Sequence, residues 1–142
     1  MNFQIRDFKI EDYEAAIGLW KTDAGIGLSP ADNKENIAQF LERNSGLSKV
    51  AAAGGLIVGT VLCGQDGRRG YIYHLFVDAG YRRRGLGKSL MEACLADLSQ
   101  QNIQKSHLFV FHTNEEGKKF WKNTSWEERP DIAVFSKGIG IC

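Results

Sequence analysis

Cysteine and proline are both scarce in this chain. The three cysteines, Cys63, Cys94 and Cys142, are odd in number and far apart. They match neither zinc-ligand spacing nor a disulfide framework, so no metal site is expected and a reducing, cytoplasmic compartment is. Only 2 prolines occur in 142 residues, and no linker, repeat or low-complexity tract interrupts the chain. No apolar run approaches the roughly 18 residues of a membrane-spanning helix, so no membrane association is expected. The amino end, Met1-Asn2-Phe3-Gln4-Ile5-Arg6-Asp7, lacks the charged-then-apolar order of a signal peptide. An excess of one charge is missing too: 18 basic against 17 acidic side chains leave +1. Nucleic acid is therefore not an expected partner. With 43% hydrophobic and 11% aromatic residues, the chain reads as one folded domain over residues 1–142. Glycine alone is in excess, at 16 residues.

Periodicity places the elements. Asn2 to Phe8 alternates as a strand. Tyr13, Ala16, Ile17 and Trp20 form one helical stripe. After a glycine-bearing loop from Lys21 to Leu28, Ser29 reads as an N-cap, with Pro30 first in the helix and Asp32 reaching back. Ile37, Phe40 and Leu41 give this second helix its buried edge, and Asn44-Ser45-Gly46 ends it. Ser48 to Ala53 and Leu56 to Cys63 read as a hairpin about Gly54-Gly55. Gly59, inside the second strand, signals a bulge or a close backbone approach. A turn from Gln65 to Gly70 leads to a strand from Tyr71 to Val77, and Leu86, Leu90, Met91, Cys94, Leu95 and Leu98 mark the longest helix. His107 to Phe111 reads as a strand, Glu115 to Asn123 as a helix, and Trp126 to Arg129 and Ile132 to Ile139 as two closing strands around Pro130. The order β-α-α-β-β-β-α-β-α-β-β describes a mixed α/β sheet of about six to seven strands.

The densest signal lies where the Tyr71–Val77 strand passes through Asp78-Ala79-Gly80-Tyr81 into Arg82-Arg83-Arg84-Gly85-Leu86-Gly87-Lys88-Ser89. Glycines here admit close approach of a ligand to the backbone. The first N–H groups of the following helix have no internal partners and sit at the positive end of its dipole. The arginines and Lys88 add charge beside them, and together they describe a pyrophosphate cradle. A P-loop is excluded because its first glycine position holds Arg82. A dinucleotide fingerprint is excluded because its third glycine position holds Leu90. Arg82-x-x-Gly85-x-Gly87, after a strand and before a helix, fills a third pattern completely. The simpler alternative is a solvated basic loop leading into a helix.

These residues resemble the acetyl-CoA signature of the GCN5-related N-acetyltransferase (GNAT) superfamily, and the resemblance runs over essentially all of Asn2 to Ile139. His74-Leu75-Phe76-Val77 followed by Tyr81 through Gly87 carries it, with Asn114, Phe120-Trp121 and Trp126 resembling the family's later motif. The resemblance implies a mostly antiparallel sheet with helices on both faces. It implies acetyl-CoA as cosubstrate, its pyrophosphate on the N–H groups from Arg83 to Ser89 and its pantetheine arm along the edge of Leu75, Phe76 and Val77. It also implies that this strand splays from His107–Phe111 to admit the thioester, and that Arg82, Arg84, Leu86, Gly87, Lys88, Asn114 and Trp121 belong to the cofactor site. The implied reaction is acetyl transfer to a primary amine of a small molecule, by direct attack in a ternary complex. A protein amino terminus is the alternative acceptor, and a non-catalytic acyl-CoA-binding domain the alternative class. Terminal strands often mediate homodimers in the family, an option this chain shares.

Proton handling departs from the family pattern. Trp121 stands where relatives often place a tyrosine that protonates the thiolate, and an indole N–H does not serve as an acid. Tyr71, Tyr73 and Phe109 stand where relatives carry a glutamate base. By the period-two rule Tyr71, Tyr73, Leu75 and Val77 share one strand face, and His74 falls on the other, as a core or edge residue in preference to a base. Tyr73 is therefore the candidate catalytic residue, as a donor or through a water. His112 is a second imidazole at a strand end, Thr124 or Ser125 a water holder or helix cap, and Asp23 an acceptor-loop acid or plain surface acid. Cys63 and Cys94 read as packing, and Cys142 as exposed and non-catalytic.

Overall fold

The computed structural model describes residues 2–140, so Cys142 lies outside the described residues. The chain forms two compact units, 1–109 and 110–142. In the first, strands β1 (Gln4–Asp7), β2 (Lys49–Ala53), β3 (Leu56–Gln65), β4 (Gly70–Val77) and β5 (Ser106–Leu108) form one sheet in the order β1-β2-β3-β4-β5. Neighbours are antiparallel except β4 and β5, which run parallel and are joined through helix α3 (Leu86–Gln100). Helices α1 (Tyr13–Trp20) and α2 (Lys34–Arg43) cover one face, where Phe8, Ala16, Trp20, Ile37, Val50, Leu62 and Phe76 form a buried cluster. Ala51, next to Val50, faces Gly59 and Leu90 instead, which puts α3 on the opposite face. Among the described residues no helix is long and apolar enough to cross a membrane. The second unit contains helix α4 (Glu115–Asn123).

Several local signals act as their chemistry requires. Gly54 and Gly55 take φ of +57° and +83°, the left-handed pair that a tight two-residue hairpin needs. Gly59 borders a bulge and is itself a close approach. The β2–β3 register slips beside it, and a Cβ there would lie 3.1 Å from Leu90 Cδ1 and 3.3 Å from the Phe76 carbonyl oxygen. Cys63 and Cys94 are buried, and a hydrogen bond with Cys63, then burial, pushes the Cys94 thiol up, as packing residues require.

Three expectations change. Ser29 does cap, its Oγ accepting from Ala31 N–H at 3.2 Å while Asp32 Oδ2 accepts from Ser29 N–H at 3.0 Å. That cap closes only a 3-10 turn, Pro30–Asp32; α2 starts afresh at Lys34 beneath a second cap, Asn33, whose Oδ1 accepts from Asn36 N–H at 2.8 Å. The fifth strand stops at Leu108 rather than Phe111, and residues 126–139 form no strand, so the sheet has five strands rather than six or seven. Apolar alternation makes a strand only where a neighbouring strand supplies partners. Phe135 and Ile139 are 94% and 97% exposed.

The third change is in β4. Thr60 pairs with Phe76 but Leu62 with Tyr73, so His74 and Leu75 together stand opposite Val61 in a β-bulge. His74 takes φ of +51°, a left-handed conformation that costs a non-glycine residue about 1–3 kcal/mol. The bulge breaks the alternation. His74 lies against Trp20 of α1, ring centroids 4.7 Å apart, on the face Tyr73 shares with Phe40 of α2. Leu75 and Val77 go to the α3 face, since Val77 pairs with Gly59 and Phe76 between them joins the opposite cluster. The period-two expectation for these four residues is thereby overturned.

Thr60, fully buried, holds the bulge. Its Oγ1 accepts from Trp20 Nε1–H at 2.8 Å and donates to the His74 carbonyl at 2.9 Å. Thr60→Val keeps the shape and strands both partners. At about 1–3 kcal/mol per unsatisfied buried group, urea unfolding should show a loss of about 2–4 kcal/mol, with Thr60→Ser far milder. Equal stability of the two variants contradicts this role.

Candidate active site

The pairing of β4 with β5 ends at Ile72 and Leu108. From Tyr73 to Val77, β3 is the only strand neighbour of β4 among the described residues, so the other edge of this stretch is open. The ladder to β5 thus ends at Ile72, two residues ahead of the bulge residue His74. A single 3-10 turn, Ala79–Tyr81, follows the strand. Arg82 then folds back: its Nε donates to the Val77 carbonyl at 2.8 Å, and its guanidinium lies 5.4 Å above the Phe76 ring. The Arg82 side chain thus clamps the strand end.

Arg83 at φ +64° and Gly85 at φ +78° turn the chain into α3. Gly85 is the N-cap and brings no side-chain cap. The first helical amide to find an internal partner is Ser89 N–H, bonded to the Gly85 carbonyl at 3.0 Å. The amides of Leu86, Gly87 and Lys88 precede that bond, and such amides take an anion readily. Leu86 is buried and anchors this end to the core, while Arg83, Lys88 and Ser89 are exposed around it. The Arg84 guanidinium lies 5.6 Å from the Tyr81 ring. The cradle expected at Arg83–Ser89 is thus assembled from one loop and one helix end.

An aromatic row lies on the α2 side of β4. Tyr71 stacks on Tyr73 with centroids 6.4 Å apart, and Tyr73 meets Phe40 edge-on at 6.2 Å. Tyr71 also approaches His107 of β5, at 5.9 Å. Burial, and then the neighbouring Tyr71, raise the Tyr73 phenol above its ordinary range. A phenol so placed keeps its proton and acts as a donor. Beside it, His74 Nε2 donates to Asp32 Oδ1 at 2.7 Å, both side chains nearly buried. Sequence reasoning missed this pair. A capping box points Asp32 back to Ser29 and nothing further, and no local pattern announces a left-handed histidine in a strand.

In the second unit, Asn114 caps α4, its Oδ1 accepting from Gly117 N–H at 2.9 Å. Trp121 packs between Phe120 and Trp126, at 5.0 and 5.2 Å. Thr124 Oγ1 donates to the carbonyls of Phe120 and Trp121, the helix-cap reading of that hydroxyl, and Ser125 sits at φ +75°. His112 Nδ1 lies 3.3 Å from Lys118 Nζ. In the first unit, Asp23 Oδ1 accepts from Gly25 N–H at 2.8 Å, which shapes its own loop.

A model of the acetyltransferase (GNAT) family matches residues 11–124. An acetyltransferase of Pectobacterium atrosepticum is 36% identical over 114 residues, 79% of each chain. Among solved structures, Ard1 from Thermoplasma volcanium superposes with a TM-score of 0.78 at 24% identity, covering 88% of this chain and 82% of that one. AAC(6')-Iy in complex with a bisubstrate analogue, CoA-S-monomethyl-acetylneamine, gives 0.76 at 19% identity, covering 98% and 100%.

A Cβ at position 85 would meet nothing within 4 Å, so its glycine is there for its backbone. Gly85→Ala should cost about 1–2 kcal/mol, the penalty of a left-handed non-glycine residue, read as a lowered Tm. Gly85→Asn, which tolerates that conformation better, should lose less. An alanine variant as stable as the parent contradicts the assignment.

Proposed function

The chain belongs to the acetyltransferase (GNAT) family, and we propose that it moves an acetyl group from acetyl-CoA to the primary amine of a small molecule, by direct attack in a ternary complex. The observation that carries this reading is the junction itself: a strand edge without a partner leads, through one 3-10 turn and the Arg82–Gly85 loop, into an uncapped helix end. In this reading the CoA pyrophosphate sits on the amides of Arg83 to Ser89, neutralised by Arg83 and Lys88. The pantetheine arm adds to the edge at Leu75, Phe76 and Val77 as an extra strand does. Arg82, bound to the Val77 carbonyl, fixes the angle between edge and cradle.

Tyr73 supplies a proton to the departing thiolate, directly or through water. Its raised pKa keeps the phenol protonated until a thiolate forms beside it. The tetrahedral oxyanion is met by backbone N–H groups of the same edge. A small-molecule acceptor is favoured over a protein amino terminus because Tyr71, Tyr73 and Phe109 replace the glutamates and Trp121 the tyrosine usual in the N-terminal branch that the sequence resembles. AAC(6')-Iy, solved with an acetylneamine-CoA bisubstrate analogue, is compatible with this choice.

Thiol release from acetyl-CoA across aminoglycosides, polyamines and peptides with a free α-amine tests the proposal. Turnover is expected on a small amine, and Tyr73→Phe should lower kcat by about 10²-fold with CoA affinity unchanged. Turnover confined to peptides would move the acceptor to a protein terminus. Tight CoA binding without turnover on any amine would make the chain a binding module, and an unaltered Tyr73→Phe rate would remove the phenol from the mechanism.

A further inference from the structure

The pair of His74 and Asp32 has no part in the reading above, and its geometry is that of a held base. His74 Nε2 lies 2.7 Å from Asp32 Oδ1. A carboxylate only accepts, so the proton of the neutral imidazole is on Nε2 and the lone pair on Nδ1. No hydrogen bond of the described residues engages Nδ1, and no buried polar side-chain atom is left unpaired, so Nδ1 meets solvent. Two further contacts hold the residue, one on the ring and one on the backbone. Trp20 closes one side at 4.7 Å, and Thr60 holds the His74 carbonyl. Asp32 is itself held, its Oδ2 by Ser29 N–H at 3.0 Å and its carbonyl by the Tyr13 hydroxyl at 2.7 Å. A left-handed non-glycine backbone stabilised from both ends is a feature that clusters at functional positions. It stands within the Tyr73–Val77 stretch that has no partner on the β5 side.

We propose that His74 is the general base of the reaction and Asp32 its positioning residue. This rests on the acetyl-transfer reading. The acceptor ammonium gives one proton to Nδ1, and the resulting imidazolium is stabilised by the Asp32 carboxylate. The freed nitrogen lone pair forms a C–N bond at the thioester carbonyl carbon, and the C–S bond breaks with its electron pair passing to sulfur. Tyr73 protonates that sulfur and recovers a proton, through water, from the nitrogen that has become an amide. Nδ1 then releases its proton to solvent. Base and acid are consecutive residues, and the bulge lets both occupy one strand face.

His74→Gly suits the left-handed backbone and leaves room for added imidazole. Assayed by thiol release with the amine that wild type turns over, it should lower kcat by about 10²-fold, leave KM for acetyl-CoA unchanged, and recover part of the loss when imidazole is added. His74→Asn, which also tolerates this conformation, should show the same loss if the glycine variant fails to fold. Asp32→Asn still accepts from Ser29 N–H but presents an amide donor to Nε2, moving the proton to Nδ1, and should be similarly slow. An unchanged kcat in either His74 variant overturns the proposal, as does a loss that imidazole does not relieve. An active Asp32→Asn overturns the positioning role. A wild type inert toward every amine contradicts acetyl transfer and the base with it, an outcome distinct from an active wild type with active variants.

Discussion

One buried hydroxyl sets the geometry on which the rest of the first unit depends. Thr60 joins the indole of α1 to the carbonyl of His74, and so fixes a residue in a conformation it would not choose alone. Without the extra residue in β4, Tyr73 and Leu75 would share a face, and His74 would point toward α3. With it, the phenol and the imidazole look toward the α1 and α2 side, while Leu75 and Val77 turn to the other. The ladder to β5 ends shortly before it, at Ile72. The end of pairing and the change of side-chain direction thus fall within three residues of each other, and bulges are common beside active sites.

The second constraint is the way the strand hands over to α3. A helix end attracts an anion only if its amides are accessible and its own capping group does not occupy them. Gly85 meets both conditions by having no side chain and a positive φ. Arg82 turns its charge inward to the Val77 carbonyl, a role that the basic run alone does not suggest. The run Arg82–Arg84 therefore divides its labour: one guanidinium braces the backbone, another stacks over Tyr81, and Arg83 bends the chain.

Much of this was legible in the residues. The Gly54-Gly55 hairpin, the Ser29 cap and the stripe of α3 are local matters, decided by backbone sterics and hydrogen-bond partners within a few residues. The uncapped start of α3 was legible for the same reason, since strand, loop and helix end are contiguous. His74 and Asp32 were not: they are 42 residues apart, and their meeting depends on a slipped register that leaves no mark in the alternation. The strands expected after Trp126 failed for a complementary reason. Alternation records what a pleated surface would accept, but pairing needs a neighbour.

The central claim is that the open edge of β4 and the amides opening α3 form one binding surface for acetyl-CoA. Amide hydrogen exchange with and without CoA reads it residue by residue. CoA is expected to slow exchange together at Leu75–Val77 and at Arg83–Ser89. Slowing at the helix end alone, or at neither segment while CoA binds elsewhere, would contradict it.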